Sequence, residues 1–291
     1  MAGPVPAIHD FAAGQNVDAR DKAGHDEVVF HRCIHADVVG GGTAEPLISR
    51  PMLIRLALAL LLAAFVQSAV AAPARIIILR HGEKADDWKL CEIGEQRAKA
   101  LALNYLGKGA TKSLFTEGDD PAFFFAITLH TLELASPAVA SWSKPIILYS
   151  VVPQTGQPKE EFTKQLNRRT QEAARNLLTN PALEGKTIVL VWEHKHIANE
   201  KLEAKFENDR EGVTLRQLFK LDILPGVPKT WPDQTYDYFW IVDFPANSNV
   251  PSKFSMVKQE FGTSFPKVPA NDWDTPDGLD PSSGCKIKVE D

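Results

Sequence analysis

The sequence predicts an α/β fold with a mostly parallel central sheet flanked by helices on both faces. Three observations lead there. Short apolar runs rich in β-branched residues, within RIIIL (75–79) and within TIVLVWEH (187–194), which ends in an acid and a histidine, read as buried strands. Segments with apolar residues at helical spacing alternate with such runs, and that alternation covers a parallel sheet with helices. No internal repeat and no clear linker interrupts the pattern, so residues 73–291 read as one domain with an irregular C-terminal tail.

Each element has its own local reason. After RIIIL, the stretch EIGEQRAKALALNYLG (92–107) places Ile93, Arg97, Ala98, Leu101 and Tyr105 at helical spacing and stops on Gly107. AFFFAITL (122–129) reads as a strand leading into a helix over about 131–142, and PIILYSV (145–151) as a further strand. Residues 159–180 form the longest amphipathic segment, halted by Asn180 and Pro181. TLRQLFKL (214–221) predicts a short helix and YDYFWIVDF (236–244) a strand. The tail from Pro245, rich in Pro, Asp, Ser and Gly, predicts a loop that wraps the domain.

The 291 residues carry a net charge of −5, with a pI near 5.9. No basic footprint exists for a nucleic acid, which the charge therefore excludes as a partner. Met52–Ala72 has an arginine near its start, a continuous apolar run and the small-residue ending Ala69-Val70-Ala71, the layout of a secretory signal peptide. An uncleaved anchor is the other reading, for which the run is barely long enough. Residues 1–51, studded with Gly, Pro and Asp and without periodicity, read as a disordered extension or as translated upstream DNA ahead of a true start at Met52. The mature protein is then expected to be periplasmic or secreted, with no stable membrane association.

Beyond residue 72 the chain retains four histidines, His81, His130, His194 and His196, and two cysteines, Cys91 and Cys285. In an oxidising compartment the cysteines could pair; they could equally stay buried thiols. Both apolar runs end in chemistry, ILRHGEK and VLVWEHKHI. At the C-terminal ends of parallel strands such side chains sit over a rigid floor, where ligands bind. If the two strands are neighbours, His81 and His194 face one another.

An imidazole can act as nucleophile, proton shuttle or metal ligand. Arg80 beside His81 favours a phosphate, because a guanidinium matches phosphate oxygens and repels a cation. Taken singly, each histidine is more ordinarily a satisfied polar residue; two such strand ends in one chain strengthen the functional reading. Gly82 would let the backbone approach a ligand and lend N–H groups to an anion site.

These residues resemble the signature of the histidine phosphatase superfamily, which has the phosphoglycerate mutase-like fold. LRHGEK resembles its first motif, LCEIGEQRAKALA (90–102) its following helix through Leu90, Gly94, Arg97, Ala98 and Leu101, and VLVWEHKHI the strand that delivers its second histidine. The likeness spans roughly residues 74–245. It implies that His81 is the nucleophile accepting a phosphoryl group, that Arg80 holds the phosphoryl oxygens, and that His194 stabilises the charge building on them.

The family usually supplies a second arginine before its next helix. The matching stretch here is TLHTLELASP (128–137), where Glu133 and Pro137 fit and His130 stands in the arginine's place. A protonated histidine can bind phosphate, most readily at mildly acidic pH. The substitution supports either a phosphatase with an acid optimum or a noncatalytic member that binds phosphorylated ligands or proteins.

Glu193 is the first choice of general acid, although successive residues on a strand point to opposite faces; Glu83, Glu160 and Glu161 are its rivals. Lys195 adds charge or is merely solvated, and His196 reads as a loop residue. Trp231 or Tyr236 borders the pocket, or both belong to the core. The expected activity is hydrolysis of small phosphate monoesters through a phosphohistidine, with no cofactor. A metal-dependent hydrolase built on His81, His130 and His194 is disfavoured by Arg80.

Overall fold

The computed structural model describes residues 72–275, 279 and 281–286, so the signal-peptide and N-terminal extension readings lie outside the described residues. Six strands make one sheet: β1 (Arg75–Arg80), β2 (Pro121–Ala126), β3 (Ile146–Leu148), β4 (Thr187–Trp192), β5 (Tyr238–Asp243) and β6 (Lys253–Lys258). Their order is β3-β2-β4-β1-β5-β6. The first four run parallel; β5 is antiparallel to β1 and β6 to β5. The fold is α/β and mostly parallel, as the sequence predicts.

Between their ends the central strands are apolar because both their faces are covered. Ile76 and Ile78 of β1, with Ile188, Leu190 and Trp192 of β4, join one apolar cluster; Ile77, Leu79, Val189 and Val191 join the other. Against the first pack α3 (Lys159–Thr179) through Leu166, Ala173, Ala174 and Leu177, and α6 (Leu215–Leu218) through Leu215. Against the second pack α1 (Glu92–Leu101) through Ala98 and Leu101, and α2 (Leu129–Trp142) through Leu134 and Ala138. Each fully buried Ile, Val or Leu contributes about 1.5–3 kcal/mol relative to exposure, so the pairing of β1 with β4 is strongly specified.

Two short helices, α4 (His194–Ile197) and α5 (Glu200–Lys205), complete the chain's path beyond β4. Among the described residues no helix is long and apolar enough to cross a membrane.

Several boundaries differ from expectation. The strand predicted over 122–129 ends at Ala126, and its last two residues become the N-cap and first residue of α2. β3 and β5 are shorter than their apolar stretches, and α1 passes into a π-helical turn at Ala102–Leu106. Gly107 closes that turn at φ −86°, so no left-handed backbone requires it; instead, a Cβ there would lie 2.2 Å from the carbonyl oxygen of Ala102.

The tail expected to be a loop contains β6. KFSMVK lies on the sheet edge with none of its side chains fully buried, so its alternation is too weak to read. Cys91 and Cys285 form a disulfide across 194 positions, which settles the alternative left open by the sequence.

Candidate active site

β1 and β4 are hydrogen-bonded neighbours in register from Arg75↔Thr187 to Arg80↔Trp192, so both chemical strand ends open at one place. The N–H of His81 donates to the carbonyl of Trp192 at 3.0 Å and carries the register one step further. His81 and His194 come together there, with His81 Nε2 3.1 Å from His194 Nδ1.

The tautomer of His81 follows from its neighbour. Nδ1 lies 2.7 Å from the carbonyl oxygen of Gly82, which can only accept, so Nδ1 carries the hydrogen and Nε2 the lone pair. Burial, and then the Lys84 and Arg80 charges, hold the His81 pKa well below 6.5. The ring is therefore neutral at pH 7, with a nucleophilic nitrogen facing the cavity residues.

Arg80 is clamped for one orientation. Nη1 donates to the carbonyls of Pro232, Asp233 and Thr235 at 2.9, 2.8 and 3.3 Å, and the guanidinium carbon lies 4.0 Å from the centre of the Tyr236 ring. Nη2 is left to face the chemistry, 3.2 Å from both His81 Nε2 and His194 Nδ1. His194 is oriented from behind: Nε2 donates to Asp233 Oδ1 at 2.7 Å, turning Nδ1 toward His81.

β4 has ended before Glu193, which caps α4, so the alternation rule no longer separates its side chain from that of His194. Glu193 Oε2 lies 3.5 Å from His81 Nε2. Oε1 accepts from Thr128 Oγ1 at 2.8 Å, and Lys84 Nζ donates to both carboxylate oxygens at 3.2 Å. Burial pushes this carboxyl up, but Lys84, His194, the Thr128 hydrogen bond and His130 together outweigh it and hold the pKa at about 2. Without substrate, Glu193 is ionised.

His130 also lines the cavity, its ring centre 6.2 Å from that of His81. Its Nε2 donates to the carbonyl of Asp86 at 2.9 Å. Burial, and then Lys84, lower its pKa below 6.5, so at neutral pH His130 brings no positive charge. Lys84 supplies the second cation instead. Sequence reading missed Lys84, Thr128 and Asp233; only LRHGEK, with a lysine three residues after the histidine, offered a signal for the first.

The remaining candidates stand apart from the reacting nitrogens of His81 and His194, some of them still on the cavity lining. Gly82 does not line the cavity; it packs where a Cβ would lie 3.1 Å from Leu134 Cδ1, and its carbonyl orients His81. Glu83 is fully buried and paired with Arg97, which also binds Asp237 and Gln259, so its role is structural. Glu160 and Glu161 are exposed and pair with Lys164, Lys205 and Arg168. His196 is buried in α4, not in a loop, donating from Nε2 to Asn167 Oδ1 at 2.9 Å. Trp231 is core, whereas Tyr236 lines the cavity. Lys195 is half-exposed near Asp233.

His81, Glu193 and His194 are close enough together to hold a metal ion. Arg80 Nη2, however, lies 3.2 Å from the same two ring nitrogens such an ion would need. The donor set fits an anion better than a cation.

No family model and no curated protein matches the sequence. Several solved structures are similar to this chain. One described as a phosphohistidine phosphatase, SixA, from Agrobacterium tumefaciens is 16% identical with a TM-score of 0.30, over 59% of this chain and 92% of that one. A mycobacterial hydrolase is 12% identical with a TM-score of 0.36, over 66% and 94%. A mycobacterial glucosyl-3-phosphoglycerate phosphatase is 12% identical with a TM-score of 0.34, over 64% and 98%. At these scores the likenesses carry no weight for chemistry, which rests on the geometry above.

Proposed function

We propose that the protein is an exported phosphatase that hydrolyses phosphate monoesters through a phosphohistidine on His81. The observation that carries this reading is the fixed tautomer: Gly82 holds Nδ1–H, and Nε2 keeps the lone pair needed for attack, 3.2 Å from Arg80 Nη2 and 3.1 Å from His194 Nδ1. Nε2 attacks phosphorus, and the bond from phosphorus to the ester oxygen breaks. Arg80 and His194 meet the charge on the phosphoryl oxygens. The departing oxygen takes a proton from Glu193, which lies on the same side of His81 as Lys84 and Thr128. Water then attacks phosphorus, its proton returns to Glu193, and the phosphorus–nitrogen bond breaks to release inorganic phosphate.

A dianionic phosphate arriving beside Glu193 competes for Lys84 and raises the carboxyl's affinity for a proton, converting the ionised resting group into an acid. Lys84 thereby offsets the missing second arginine. Export is supported by the signal-like segment 52–72 and by the Cys91–Cys285 disulfide, which persists in oxidising compartments.

Phosphate release from a generic ester across pH 4 to 8 tests the reading. Activity that survives EDTA and disappears in His81→Ala is expected. Activity abolished by EDTA would mean metal chemistry, and no activity at any pH would mean a noncatalytic binder, the reading that the replaced arginine favours.

A further inference from the structure

Above the reacting groups the cavity encloses about 520 Å³, several times the space that a benzene-sized guest occupies in an apolar protein cavity. Its floor is ionic, while Pro153, Phe162, Leu166 and Leu202 of α5 bring apolar side chains to the lining beside Gln154, Gln157 and Thr163. Phe162 and Leu166 sit one turn apart on α3 and belong to the apolar packing on that side of the sheet. Lysines 159, 195 and 286 also line the cavity.

The reacting groups lie deep. Arg80, His81 and His194 are 2%, 3% and 4% exposed. An ester reaches them only if the group it carries can follow the phosphate into the cavity. In a phosphoserine the ester oxygen is one methylene from the backbone, so the peptide itself would have to enter and leave its polar groups against Phe162 and Leu202, at a cost. An alkyl or aryl group gains by the same contact.

We infer that the substrates are small monophosphate esters of apolar alcohols, whose hydrocarbon part lies against Pro153, Phe162, Leu166 and Leu202 while the phosphate meets Arg80, His81 and Lys84. The inference rests on the phosphatase reading above. It assigns selectivity to α3 and α5, elements that take no part in the chemical step.

A series of n-alkyl phosphates tests it, because ethyl, butyl and hexyl phosphate have nearly equal leaving groups and differ in apolar length. With the full chain, kcat/KM is expected to rise by about fourfold per added methylene, the gain from burying one CH₂. Phe162→Gln and Leu202→Gln should each lower kcat/KM for hexyl phosphate at least tenfold more than for ethyl phosphate. A phosphoserine peptide should be turned over less well than butyl phosphate. Turnover that is flat or falls from ethyl to hexyl, or that favours the peptide, would overturn the inference and leave the phosphatase reading intact. Release of phosphate from none of the esters would overturn both.

Discussion

At the scale of single residues, charge placement decides the chemistry. Lys84 stands between a carboxylate that must gain a proton and a phosphate that must be held, and it can serve only one of them fully. Replacing it with methionine removes the strongest influence that keeps Glu193 ionised, so the carboxyl pKa rises from about 2. The basic limb of the kcat–pH profile should then move to higher pH, while kcat/KM falls about 10- to 100-fold from the lost contact to phosphate. Rate measurements from pH 4 to 9 check this; an unmoved basic limb would remove Glu193 from the proton-donor role. Arg80, His81 and His194 were legible in the sequence because each ends an apolar run. Thr128 and Asp233 were not, since their roles come from contacts across 65 and 39 positions.

At the scale of elements, the loop between β1 and α1 is held from several sides. Leu90 N–H donates to Glu133 Oε2 at 2.7 Å, and Cys91 N–H to the carbonyl of Glu83 at 3.0 Å. Gly94 is required there: a Cβ would lie 2.3 Å from the Glu83 carbonyl oxygen. The tail adds the disulfide, a hydrogen bond from Lys286 N–H to the carbonyl of Lys84, and an ion pair from Lys286 to Asp87 at 2.7 Å. Cys91→Ser with Cys285→Ser should therefore cost about 2–4 kcal/mol of unfolding free energy, measured by urea titration against the oxidised protein. A loss below 0.5 kcal/mol, roughly the scatter for neutral surface changes, would show that the bridge does not constrain the chain. The strand β6 escaped sequence reading for a related reason: an edge strand with half-buried side chains needs its partner to declare it.

At the scale of the whole molecule, buried titratable groups tie stability to pH. Burial holds His196 at about 4, below the usual 6.5, so the native state binds fewer protons than the unfolded chain. That stabilisation is complete above pH 6.5 and is lost as pH falls through 4. Glu193, at about 2 against 4.5, contributes above pH 4.5 and loses its contribution toward pH 2. Both act in the same direction, so unfolding free energy should fall from pH 7 to pH 4, with His196 accounting for on the order of 3 kcal/mol. Denaturant titrations at both pH values, repeated on His196→Gln, should show a smaller fall in the variant. An equal fall in both would exclude His196 as the cause.

The architecture was readable because the central strands are apolar on both faces, which leaves a parallel sheet under two layers of helices as the consistent solution. The cavity was not, because its walls come from α3, α5 and the tail, brought over the strand ends only by folding. The central claim is covalent: His81 Nε2 takes the phosphoryl group. Rapid quenching during turnover of a phosphate ester, followed by peptide mass analysis under alkaline conditions, should find phosphate on the peptide containing His81, absent in His81→Ala. Steady turnover with no phosphorylated His81, and with activity retained in His81→Ala, would contradict the account.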